Sequence, residues 1–160
     1  MDAFFASLAP LSRRAPFALF CVKMFFIRYA GHCYYDAYTW ARRLAETYCH
    51  HVLALFHIDD EWLSLSEMAY SLPDWIWRYR AIDHVESFGV DRDLAMQLGL
   101  PLSANAVFED IDYLRWVGNS TAHARPYVHG HRPGPDARAV VSVVRVAMSL
   151  RAWLGRCSSL

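Results

Sequence analysis

The stretch Asp110-Ile-Asp-Tyr-Leu-Arg-Trp-Val-Gly-Asn-Ser-Thr-Ala-His123 decides the fold class. No proline interrupts it before Pro126, and Val107, Ile111, Leu114, Val117 and the methyl of Thr121 recur at intervals of three and four. That spacing predicts one buried stripe on an α-helix. Arg115, Asn119 and His123 recur every fourth residue. On a helix they share one face, each a turn from the next. A cation, an amide and an imidazole therefore line up beside the apolar stripe. Gly118 and Ala122 make a second four-residue step without a bulky side chain. A glycine inside a helix costs about 1 kcal/mol relative to alanine. Close approach by another backbone would justify that cost.

The same reading extends outward in both directions. Residues 2–9 predict a short helix capped by Asp2 and stopped near Pro10. Pro16 opens a helix at its first turn, where its missing N–H is harmless, and Gly31 ends it after Ala30. The next helix spans Asp36 to about His57. Its apolar positions are Ala37, Trp40, Ala41, Leu44, Tyr48, Val52 and Phe56, and its other face carries Arg42, Arg43, Glu46 and His50. Asp59 or Asp60 then caps a helix through Glu61, Trp62, Leu65 and Met68.

Between residues 72 and 106 the layout is hardest to read. Pro73 suits a helix start, and Asp91 suits the cap of a short helix through Leu98. Ser103 leads into the motif helix. The segment from Arg125 to Pro135 reads as a loop, with three prolines and two glycines. Asp136 caps a last helix through Ala139, Val143, Ala147, Leu150 and Leu154, with Arg138, Arg145, Arg151 and Arg156 off its stripe. No internal repeat and almost no strand-like alternation occur. The expected fold is all-α: one domain over residues 1–160, an antiparallel helix bundle.

Composition narrows the function classes. The chain has 160 residues, enough for one domain with a real core, and 55% of them are hydrophobic. Sixteen basic residues balance sixteen acidic ones, so no global field attracts nucleic acid, and any such binding must use a local patch. Arg125, Arg132 and the arginines of the last helix are one candidate patch; a solvated surface is the other reading of them. The four cysteines, Cys21, Cys33, Cys49 and Cys157, form no CxxC pair and read as buried free thiols. The apolar run Pro16–Ile27 is broken by Lys23 and too short to span a bilayer. Arg13 and Arg14 precede it as a signal peptide's basic residues would, but bulky residues follow it where a cleavage site needs small ones. No membrane association and a cytoplasmic location are expected. His50, His51 and His57 with Cys49, and His129 with His131, lack a second ligand pair at zinc spacing, so no metal and no cofactor are expected. Trp62, Trp75, Trp77 and Trp116 exceed what a core needs, and one or two should mark a partner surface.

The pattern Arg-x-x-Gly-Asn-x-x-Ala-His, here Arg115, Gly118, Asn119, Ala122 and His123, resembles the signature of a small helical domain of unknown function. That domain belongs to the HEPN superfamily. It occurs at the N-terminus of type I restriction-enzyme motor subunits and in stand-alone bacterial proteins. The earlier run Asp36-Ala-Tyr-Thr-Trp-Ala-Arg-Arg-Leu-Ala-Glu46 is similar to the family's preceding helix, in which an arginine stands four residues before a glutamate, here Arg42 and Glu46. The resemblance covers about residues 34–125. It implies a HEPN-like bundle and an accessory role, linked to nucleic acid or to assembly, in bacterial restriction or phage defence. RNA or DNA, a second copy of the chain, or a defence protein would be the partner.

The resemblance also implies an alternative, a metal-independent endoribonuclease. There His123 would move the proton, Arg115 would hold the phosphate, and Asn119 would orient one of them. The superfamily's active nucleases, however, commonly place a polar residue directly after the arginine and a shorter gap before the histidine. Here Trp116 follows Arg115, which matches the restriction-associated subgroup. The third reading is a structural interaction module. In it Asn119 and His123 bond neighbouring elements, and Arg115 pairs with an acidic side chain such as Glu46. Arg42 and Glu46 read most simply as an intrahelical ion pair, or, with family-like packing, as supports of Arg115 and His123 from across the interface.

Overall fold

A computed structural model describes residues 1–55, 57, 58, 61, 63–78, 106–122 and 133–156. Among them are seven helices and no strand: α1 (Asp2–Ser7), α2 (Leu11–Arg14), α3 (Pro16–Ala30), α4 (Tyr34–Leu55), α5 (Leu65–Arg78), α6 (Ala106–Ala122) and α7 (Ala137–Arg156). The fold is all-α, as the periodicity requires. No helix among the described residues is long and apolar enough to cross a membrane.

Local chemistry sets the boundaries. Met1 is the N-cap of α1, so Asp2 lies inside its first turn instead of capping it. Pro16 occupies the first turn of α3. Gly31 follows α3 with an ordinary φ of −80°, and the left-handed residue is the next one, His32, at φ 58°. The Cys33 N–H reaches back to Arg28 O at 2.8 Å, and the His32 N–H to Tyr29 O at 3.1 Å. This paired closure satisfies carbonyls that a helix end leaves bare. α4 closes by the same device, with His57 at φ 56° and the Ile58 N–H on Leu53 O at 3.2 Å.

α5 departs from expectation. It begins at Leu65, not after Asp59 or Asp60, because Ser64 and Glu67 form a reciprocal capping box. The Ser64 N–H donates to Glu67 Oε2 at 2.8 Å, and the Glu67 N–H to Ser64 Oγ at 3.3 Å. The Ser64 hydroxyl also donates to Glu67 Oε2 at 2.6 Å, and this bond, with that from the Ser64 N–H, holds the Glu67 carboxyl below its usual range. The helix then runs through Pro73 to Arg78 instead of restarting at that proline. The expected helix over residues 91–98 and the Ser103 lead-in lie outside the described residues. Asp136 caps α7 as expected, with Oδ1 accepting the N–H groups of Arg138 at 2.9 Å and Ala139 at 3.3 Å.

Cross-links between helices give their directions. Tyr48 of α4 meets Ser149 and Trp153 of α7, while Tyr38 meets Gly134 just before α7, so α4 and α7 run parallel. Asp110 and Tyr113 of α6 meet Ser142 and Asp136 in the reverse order, so α6 runs antiparallel to α7. α3 is antiparallel too: Arg14, two residues before its start, bonds Leu154 O, and Tyr29, near its end, accepts the Asp136 N–H. α3 and α4 thus run in opposite directions, as do α6 and α7.

The core forms between them. α4 gives it Ala37, Ala41, Leu44, Ala45, Tyr48 and Val52, and packs on α3, α5, α6 and α7. The predicted α6 stripe of Val107, Ile111, Leu114, Val117 and Thr121 is buried. Cys21 and Cys49 are buried, whereas Cys33 is exposed in the α3–α4 turn; Cys157 lies outside the described residues. Burial pushes the Cys21 thiol up to about 12.

The polar residues buried whole in this core, Asp110, Thr121, Ser142 and Ser149, are hydrogen-bonded. Asp110 is 1% exposed and takes two bonds from Arg145, at 2.5 and 2.7 Å, and one from Ser142 at 2.7 Å. Arg145 is thereby a core partner and not part of a basic surface. Removing one member of a buried pair strands the other's charge and costs roughly 3 kcal/mol. For a chain of this size, Asp110→Ala should lower Tm by about 6–12 °C in a thermal melt. The double substitution Asp110→Leu with Arg145→Met should recover much of the loss.

Candidate functional site

The motif helix α6 meets α4 at Gly118, where α6 has no room for a side chain. A methyl group built on Gly118 would lie 2.3 Å from Arg42 Cβ and 2.9 Å from the Tyr38 carbonyl oxygen. Only glycine permits that approach. The contact places Arg42, read from the sequence as a supporting residue, directly against the α6 motif.

Two polar atoms beside this contact lack a partner. Arg42 Nε, a donor, and Asn119 Oδ1, an acceptor, are both buried and without a hydrogen bond. Each such group ordinarily costs about 1–3 kcal/mol, and in a native protein it calls for an explanation. Arg115 is satisfied locally. Its Nε and one terminal nitrogen donate to Asp112 Oδ1 at 3.0 and 2.7 Å, and 20% of its side chain is exposed. The acid that Arg115 pairs with is therefore Asp112, one turn back, and not Glu46. Arg42 and Glu46 form no ion pair with each other among the described residues. His123 lies outside the described residues, as do Arg125, Arg132, His129 and His131; Ala122 closes the helical span of α6.

From Arg42 a cleft of about 780 Å³ runs along α4. Arg42, Arg43, Glu46, Thr47, His50, His51 and Ala54 line it, and Phe17 of α3 forms part of its wall. The four polar positions predicted for the outer face of α4, Arg42, Arg43, Glu46 and His50, are thus brought together. Burial, with His50 adding to it, holds the His51 imidazole below its usual value, so it is neutral at pH 7. Two guanidinium groups against one carboxylate leave the cleft net cationic at that pH. Among the described residues, no group of three or more His, Cys, Asp or Glu stands close enough to hold a metal.

Sequence reasoning missed Phe17 and Phe20 as parts of a surface. A helix apolar on most sides gives no contrast by which to tell its outward rings from its inward ones. Trp116 is 60% exposed, 6.0 Å from the Tyr113 ring. The side chains of Trp62, Trp75 and Trp77 are outside the described set. Of the supposed basic patch, Arg138 lies over the Tyr113 ring at 4.0 Å, and Arg151 lines a second cleft with Arg13 and Arg14.

Comparison with protein-family models, with curated proteins and with solved structures gave no match to the chain.

The contact at Gly118 gives a test with an internal control. Gly118→Ala gains about 1 kcal/mol of helix propensity but must push apart two backbones, an overpacking cost of about 1–3 kcal/mol or more. Its Tm should fall by several degrees. Gly155 of α7 has open space around it, so Gly155→Ala should hold or raise Tm.

Proposed function

We propose that the protein is a nucleic-acid-binding accessory domain of the restriction-associated HEPN-like type, engaging RNA or DNA through its phosphates and acting without catalysis. The observation that carries this is the net cationic cleft that Arg42 and Arg43 line, with Arg42 rooted against the motif helix at Gly118. Arg42 and Arg43 line the cleft, where the terminal N–H groups of a guanidinium can donate to a phosphate, and such charge-assisted bonds are about twice as strong as neutral ones. A chain of zero net charge binds polyanions only where its cations are grouped, and this cleft groups two of them. In that setting a bacterial defence or restriction protein would be the natural assembly partner, with a cytoplasmic site of action.

The test is fluorescence anisotropy with a labelled RNA pool and a labelled DNA pool at 50–200 mM salt, in EDTA. Wild type should bind, and Arg42→Gln should weaken binding and make the salt dependence shallower by roughly 0.7–0.9 in the logarithmic slope, one phosphate contact's worth. Absence of binding by wild type overturns the reading. RNA cleavage in EDTA that His123→Ala abolishes, in a mutant shown to be folded, would replace it with the ribonuclease alternative. A mutant that loses only Tm would replace it with the structural one.

A further inference from the structure

The outer face of α3 carries rings where a bundle helix ordinarily carries polar side chains. Phe17 and Phe20 are each 47% exposed. Their rings lie 6.4 Å apart and within 24° of parallel. Phe20 meets the Trp40 ring of α4 edge-on at 5.3 Å, and the Arg43 guanidinium lies 5.2 Å from the Trp40 centroid. Phe17 itself walls the cleft that Arg42 and Arg43 line. A continuous run of ring, ring, ring and cation therefore leads into the cationic cleft.

We propose that this run is a stacking platform for unpaired nucleic acid, with bases on the Phe17 and Phe20 rings and the strand's phosphates on Arg42 and Arg43. This rests on the nucleic-acid reading above and narrows it to single strands. A duplex hides its base faces, so exposed rings add nothing to its binding. An unpaired strand offers a π-face at every nucleotide, and aromatic rings beside a cationic groove take it with little regard to sequence.

Charge favours this occupant over a second copy of the chain. α3 contains Lys23 and Arg28 and no acidic residue. An isologous α3–α3 contact would set these cations against their own copies, and interface cores are depleted of charge. A polyanion meets the same cations favourably.

The experiment compares a labelled 20-nucleotide dT strand, a 20-nucleotide rU strand and a 20-base-pair DNA duplex, by anisotropy across the same salt range. Phe17→Leu keeps an apolar side chain and removes the ring; Phe17→Tyr keeps the ring. Wild type should bind both single strands at least tenfold more tightly than the duplex. Phe17→Leu should lose about tenfold on single strands, with the salt slope and the duplex affinity unchanged, while Phe17→Tyr retains wild-type binding. Equal affinity for strand and duplex, or wild-type strand affinity in Phe17→Leu, overturns the platform and leaves the nucleic-acid reading standing. No binding of any probe by wild type overturns both. Sedimentation covers the other occupant. A wild-type dimer that Phe17→Glu splits, combined with unchanged strand affinity in Phe17→Leu, would assign the face to a second copy.

Discussion

The distance between α4 and α6 is set by the absence of one side chain. At Gly118 the α6 backbone comes so close to Tyr38 and Arg42 that a methyl group would overlap both. Because α4 packs on α3, α5, α6 and α7, this spacing propagates through the bundle. Ala37, Ala41 and Ala45 of α4 are each fully buried and each one turn from the next. Close approach has a consequence for polar groups. A long side chain rooted at the contact, such as Arg42, leaves along the groove with its first atoms confined. Its Nε is then shut away from water before the guanidinium reaches the cleft.

Packing brings the helices together without choosing their register, since apolar stripes tolerate sliding. The buried hydrogen bonds are more selective. Tyr48 takes a bond from Trp153 and shares one with Ser149, and burial pushes its phenol well above the ordinary range. A slip of α7 by one turn would break both contacts and strand the phenol. Asp110 imposes the same condition between α6 and α7 through Arg145 and Ser142. At the other end, Tyr29, Tyr113 and Tyr38 converge on Asp136 and Gly134 and fix where α7 begins. Such networks add little net stability compared with an apolar core of the same shape. Their effect is to make one register far better than its neighbours.

How much of this was legible follows from which forces are local. The start of α3 could be read because Pro16 acts within a turn of itself; its end falls before Gly31 as expected, although His32 and not the glycine takes the left-handed conformation. The start of α7 could be read because Asp136 caps through its own side chain. The start of α5 was missed although its signal was present. Ser64-Leu-Ser-Glu67 is a capping box, and two earlier aspartates drew the boundary away from it. In α6 the stripe and the need for close approach at Gly118 were both visible, but not which residue would come close, because that depends on the tertiary packing. Asp110 held a readable warning. It falls among Val107, Ile111 and Leu114 on the buried face, where a carboxylate needs a partner. That the partner is Arg145, thirty-five residues away, was not local information. His123 falls outside the described residues, so the imidazole of the motif keeps the standing the sequence gives it.

The placement of charge bears on where the proposed nucleic-acid strand would lie. With sixteen cations and sixteen acids, most charges can be neutralised nearby, and several are: Arg145 by Asp110, Arg115 by Asp112, and Arg28, more loosely, by Asp36 at 4.0 Å. Arg42 and Arg43 depart from this. One keeps a buried donor unpartnered, and the other lies over a tryptophan ring instead of beside a carboxylate. Next to them, two phenylalanines stay half in water although burying such a ring would stabilise the fold by roughly 1.5–3 kcal/mol. Neither feature helps the isolated bundle. Both become favourable together if the surface receives something planar, apolar on its faces and anionic along its edge, and that coincidence points to α3 and α4, not to the motif helix alone, as the side from which the domain is approached.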